Sequence, residues 1–182
     1  QLTGQYPELK VFNQANIGHG PTIIKGYKQV NDAIWVFQVD SDREMSPKYF
    51  KYLWNNKDHY DFLVAHRIVN KHFISRKVIS KIASFIIKIL FGSKVIDVNV
   101  PYRLMKLSTF KPLFLMVSNN SLSPNIIITG LVNFFSLKIY KTNVPYNFRS
   151  TGEVSIKHWK LFWVSFRILI QLICFRIKFF LK

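Results

Sequence analysis

The sequence is poor in cysteine, poor in acid over its last two thirds, and without either common glycine signature for nucleotides. Cys174 is the single cysteine. That excludes an internal disulfide framework and a cysteine-rich zinc site, and a reducing compartment is the plain reading. Charged residues make up only 19% against 49% hydrophobic, which excludes disorder and leaves enough apolar side chain for a sizeable core. Neither a Gly-x-x-x-x-Gly-Lys phosphate loop nor a Gly-x-Gly-x-x-Gly fingerprint occurs. No internal repeat and no low-complexity linker interrupts the 182 residues, a length that suggests one domain. Gln1 opens the chain, followed by a polar, turn-rich stretch. With no charged n-region and no apolar h-region, no signal peptide is visible.

What is present is positive charge, and it is segregated. Residues 1–61 carry seven basic and seven acidic groups, whereas residues 62–182 carry nineteen basic groups and two acids, Asp97 and Glu153. The net charge of +17 therefore lies in the second segment. Five of the first segment's carboxylates fall between 40 and 61: Asp40, Asp42, Glu44, Asp58 and Asp61. This pattern suggests a small acidic site beside a surface that attracts anions, whether nucleic acid, membrane or phosphorylated substrate.

Strand and helix signals alternate, which predicts an α/β layered fold. Gly18-His19-Gly20-Pro21 is a turn signal; Pro21 suits the first position of a helix running over 22–30. Residues 33–39 (AIWVFQV) read as a strand buried on both faces. Ser46-Pro47 suits a helix start, with Phe50, Leu53 and Trp54 as its apolar face. Residues 61–65 read as a second strand running into His66-Arg67. Residues 76–91 read as a helix closed by Gly92. A helix over 124–136 and a strand over 138–148, with Pro145 marking an edge or a bend, follow.

The chemistry centres on Asp40-Ser41-Asp42. Two carboxylates spaced i, i+2 at the end of a strand point to the same side, and ligands of open α/β sheets bind beyond the carboxyl ends of strands. Paired carboxylates suit a hard divalent cation, Mg²⁺ or Mn²⁺, that leaves positions open for phosphate oxygens. A solvated acidic turn is the alternative. The histidines show no metal-ligand spacing, and only His66 neighbours a candidate site strand.

Asn16-Ile17-Gly18-His19-Gly20, a short helix, AIWVFQVDSD and Ser46-Pro47 together resemble the family 2 glycosyltransferases. FLVAHR resembles the strand that ends in Gly-Ser-Arg in that family. Asp97 to Arg103 resembles its Asp-x-x-x-Gly-Phe-Arg block. Residues 138–148 with Arg149 to Ser155 resemble the closing segment of polyprenyl-phosphate sugar transferases of the dolichol-phosphate mannosyltransferase type. Blocks in this order are more specific than any one alone. His19 stands where the family usually has Lys or Arg, Ala65-His66 replaces Gly-Ser, and Pro101 replaces a glycine. The family's opening strand with its Pro-x-Tyr-Asn-Glu-like segment, and the following Asp-Asp-x-Ser strand, are not in this sequence, so truncation at the N-terminus is expected.

The resemblance implies a GT-A type fold, a mixed sheet with flanking helices and the first strands missing. Residues 1–158 would form a partial transferase domain and 159–182 a C-terminal membrane-interface helix. It implies inverting transfer of a sugar from a nucleotide-diphosphate donor to a lipid phosphate. Gly18, Gly20 and Asp40 are expected at the donor, and Asp40 and Asp42 at the metal and the chemistry. A phosphate acceptor is already ionised and needs no base, only cations to hold it. Arg67, Arg76, Arg103 and Arg149, with Ser155, are the candidates for that anion clamp. A saccharide hydroxyl would need a carboxylate base; relatives acting on hydroxyls carry a Glu-Asp pair near the place of Asn99-Val100. Its absence favours the phosphate.

Residues 160–181 are long and apolar enough to suggest a span, but Arg167, Arg176 and Lys178 interrupt them. Lys160, Arg167, Gln171 and Lys178 share one helical stripe within about 40°. A helix lying in the interface of an anionic membrane, on its cytoplasmic face, fits better than a spanning one, and packing on the domain is the alternative. Two rival functions are a non-catalytic basic membrane-surface protein, which leaves Asp-x-Asp unexplained, and a nucleic-acid-binding module, for which no motif appears. No nucleic-acid partner is therefore expected; the sequence does not address oligomeric state.

Overall fold

A computed structural model describes residues 6, 8–68, 85, 88–92, 97–147 and 158–180, with side chains in the last helix over 163–179. Its elements are α1 (His19–Gln29), β1 (Trp35–Val39), α2 (Phe50–Trp54), β2 (Phe62–Ile68), β3 (Tyr102–Lys106), α3 (Leu107–Met116), α4 (Pro124–Phe134), β4 (Ile139–Pro145) and α5 (His158–Phe180). The four strands form one mixed sheet in the order β1-β3-β2-β4. β3 is antiparallel to both β1 and β2, while β4 is parallel to β2. It follows that β1, β2 and β4 all run the same way and end at one edge.

Each face of the sheet has its own helices. Gln38, Arg103 and Val64 lie in register across β1, β3 and β2. On their face, Phe62 meets Phe110 of α3, and Phe114 stacks on Tyr27 of α1 at 4.4 Å. Phe37 faces the other way, against Tyr102 and Phe50 of α2. Ile24, Leu53, Leu63, Val100, Tyr102, Phe110, Ile128 and Leu131 are almost wholly buried in one core cluster, the main driving force for assembly.

Several expectations meet the structure directly. Ser46 caps a short 3₁₀ turn over Pro47–Tyr49 that leads into α2, its hydroxyl accepting from Lys48 N. Gly92 follows a helical turn at φ +64°, its N–H donating to Lys88 O at 2.9 Å; most of the helix expected over 76–91 lies outside the described residues. β4 is an edge strand with Pro145 at its end, where a missing donor costs least.

Others are corrected. The first helix starts at His19, with Pro21 in its third position, because Gly18 at φ +93° makes the cap. β1 is not buried on both faces: among the described residues it has one neighbour, and only Val36 of its residues is buried. Trp54 is 42% exposed, leaving Leu53 and Phe50 as the packed side of α2. β3 and α3 have no counterpart in the sequence reading. Strand passes into helix between Lys106 and Leu107 with no turn residue, and Pro112 lies inside α3, so the usual punctuation is missing.

Candidate active site

The shared carboxyl edge gathers the candidate residues. β1 delivers Asp40, Asp42 and Glu44, β2 delivers His66 and Arg67, and β4 delivers Tyr146. β3 runs oppositely, so the approach to its start brings Asp97 to the same edge.

The loop after β1 is fixed in detail. Asp42 Oδ1 accepts from Glu44 N at 3.1 Å, and Arg43 between them sits at φ +61°, a left-handed conformation that an arginine adopts only under outside constraint. That constraint is visible. Met45 bridges to Tyr146, Asn147 N donates to Glu44 O at 2.8 Å, and the Tyr146 hydroxyl donates to the Glu44 carboxylate. Arg67 lies over the Tyr146 ring at 5.5 Å. The acidic turn is therefore part of the framework, not a loose solvated one.

Asp40 is half-buried. Burial raises its pKa above the usual carboxylate range, and Asp42 and Glu44 raise it further; His19 and Arg67 act against them. This is an electrostatic deficit that a cation would relieve. The donors are hard oxygens, as Mg²⁺ and Mn²⁺ prefer. Among the described residues, no three His, Cys, Asp or Glu side chains are grouped to hold a metal ion. The oxygen donors at this edge are the carboxylates of Asp40, Asp42 and Glu44, the last engaged by the Tyr146 hydroxyl.

Gly18 and Gly20 are needed by the backbone. A Cβ on Gly20 would come within 2.2 Å of Ser121 O and 2.6 Å of Leu122 O. Gly18 is required by its φ of +93° rather than by space, and His19 between the two acts on Asp40.

Arg67 and Arg103 depart from the free anion clamp expected of them. Arg67 makes a two-pronged ion pair with Asp97, Nε to Oδ2 at 2.6 Å and Nη2 to Oδ1 at 2.9 Å. Burial disfavours its charge, but the Asp97 contact outweighs that and raises its pKa above the ordinary value. Arg67 remains at the site edge with its fork engaged. Arg103 is completely buried. It donates to Val100 O from Nε and Nη2, to Val98 O from Nη2, and to Asn125 O and Thr129 Oγ1 from Nη1. Burial lowers its pKa, with Tyr27, Asp97 and Asp40 opposing. It ties the segment before β3 to α4 and presents nothing to a ligand. Arg76, Arg149 and Ser155 lie outside the described residues.

Sequence reasoning missed Glu44, Tyr146 and the Arg67–Asp97 pair, all contacts between distant segments. One signal was available: Asp97 is one of two acids after residue 61, and an isolated acid in a basic stretch invites a partner. His66 keeps a buried Nδ1 without a hydrogen-bond partner among the described residues. Two hollows of about 500 and 400 Å³ are lined by none of these site residues, the second bordered by Ile17 and Pro21 on either side of Gly18, His19 and Gly20.

Compared with known proteins, the chain matches no family model, and no curated protein matches it.

Proposed function

We propose that the chain is a glycosyltransferase of the GT-A type that moves a sugar from a nucleotide-diphosphate donor to a polyprenyl-phosphate acceptor, with inversion. The observation that supports it most is Asp40: a half-buried carboxylate, crowded by Asp42 and Glu44, at the edge where three strands end. Mg²⁺ or Mn²⁺ held by Asp40 and Asp42 would supply Lewis-acid charge to the departing diphosphate. Glu44, stapled to Tyr146, keeps Asp42 in position. His19 brings a further donor to the same edge from the start of α1, where helix geometry favours anions. The Arg67–Asp97 pair stands beside it, with Arg67 over the Tyr146 ring.

The test uses the full chain in detergent with Mn²⁺ or Mg²⁺. A panel of nucleotide sugars is offered with and without a polyprenyl phosphate, and nucleotide diphosphate release is followed. The reading expects metal-dependent release that requires the lipid and vanishes in Asp42→Asn. A saccharide hydroxyl is the second acceptor, favoured by one observation: both described arginines of the clamp are already engaged, one by Asp97 and one by backbone carbonyls. Release only with a saccharide would select it. No release with any donor, from folded protein, would leave the non-catalytic reading.

A further inference from the structure

α5 is apolar on two sides. Ile168, Leu172, Phe175 and Phe179 pack on the core. The rotation is fixed by Gln171, whose Oε1 accepts from Leu122 N at 3.0 Å and whose Nε2 donates to Asn120 O. Gln171 therefore faces the domain, contrary to the outward polar stripe expected of it. The opposite side carries Trp163, Phe166, Ile170, Ile173 and Ile177, which are 50, 46, 44, 39 and 53% exposed. At 100° per residue they fall within an arc of about 80°. Arg167 and Lys178, both exposed, border that arc on one flank. Beside α5, Phe91 meets Phe175, and Arg176 lies over Phe91 and Phe134. Of the helical residues before Gly92, Phe85 and Ile89 are 63 and 67% exposed.

A helix that is apolar on two opposite sides is normally covered on both. Among the described residues, the domain covers one. We propose that an anionic lipid surface covers the other, with α5 lying along it and Trp163, Phe166, Ile170, Ile173 and Ile177 immersed. Among the described residues, no helix is long and apolar enough to cross a membrane, and a helix parallel to the surface needs no such length. The 3-4-3-4 spacing of the five residues would also suit a second copy of the helix. Charge decides between them. The helix carries no carboxylate, and residues 62–182 hold two against nineteen cations. A second copy would bring cations against cations, whereas an anionic bilayer pairs with Arg167 and Lys178 while accepting the apolar arc. This proposal is independent of the catalytic reading.

The test is sedimentation of the full chain with vesicles of phosphatidylcholine alone and of phosphatidylcholine mixed with phosphatidylglycerol. Binding is expected only to the anionic vesicles and to weaken with salt. Replacing Arg167 and Lys178 by Gln should lower partitioning about 30-fold at low salt. Phe166→Glu with Ile173→Glu should abolish it, with the circular dichroism of the folded chain retained. A second readout needs no substitution. Cys174 is exposed, lies at the border between that arc and Arg167 by helical spacing, and is the chain's one cysteine. A nitroxide attached there should gain access to oxygen and lose access to an aqueous nickel complex when anionic vesicles are added. A label that stays in water, or vesicle binding unchanged in the Glu variant, overturns the proposal. So does a lipid-independent dimer that the Glu variant dissolves while vesicle binding persists; that outcome assigns the face to a second copy.

Discussion

The carboxyl edge of the sheet and the interior just beneath it each hold an arginine, and the two are satisfied in opposite ways. At the edge, Arg67 keeps 27% of its side chain exposed and meets a carboxylate through two hydrogen bonds. In the interior, Arg103 is fully buried with no ion pair to a carboxylate among the described residues. Its donors end on three backbone carbonyls and a threonine. A carboxylate bound to its fork keeps Arg67 charged, whereas Arg103 is hydrogen-bonded only to dipoles among the described residues, with Asp97 and Asp40 acting on it through space. An arginine in a recognisable block can thus be part of a site or part of the scaffold beneath it. Only burial and partners tell which.

The widest gap should open on removing each side chain. Arg103→Met should lower unfolding free energy by about 3 kcal/mol or more, since several buried acceptors lose their donor. Urea titration measures it; an unchanged midpoint would break the comparison. Gly20→Ala should cost about 1–3 kcal/mol by overpacking, because backbone oxygens of Ser121 and Leu122 occupy the space. Arg67→Met and Asp97→Asn should each cost about 1.5 kcal/mol, as charge-assisted bonds do. A double-mutant cycle should then return most of that as coupling, and additive losses would mean that the pair contributes nothing.

The smallest effect is a gain. The folded chain holds the Asp40 proton more tightly than the unfolded chain does, first through burial and then through Asp42 and Glu44. Stability therefore falls as pH rises from the ordinary carboxylate value through the raised one. Asp40→Asn should flatten that fall and be slightly more stable at neutral pH, and added Mn²⁺ should stabilise the parent protein but not the variant. Thermal melts across pH, with and without Mn²⁺, check both. A variant less stable at neutral pH would show that Asp40 is not electrostatically frustrated.

How much of this was legible in the sequence follows from the range of each interaction. Asp40-Ser41-Asp42 at a strand end, Ser46 as a cap and Gly92 as a helix stop are local, and each was readable from neighbours. β3 and α3 were not, because Lys106 passes directly into Leu107 and Pro112 argues locally against a helix. β1 read as doubly buried because its composition is that of a central strand, while sheet position depends on pairing. The role of Arg103 was hidden for the same reason: beside the local carbonyls of Val98 and Val100, it reaches two acceptors on α4, 22 and 26 residues away.

The staple between Glu44 and Tyr146 joins residues 102 apart. As the chain emerges during synthesis, the acidic loop is made early but can take its final shape only after β4 has been made and paired with β2. Contacts of such long sequence separation form late. The turn that sets Asp42 therefore reaches its final shape only with the far strand in place. Its assembly doubles as a report that the sheet is complete.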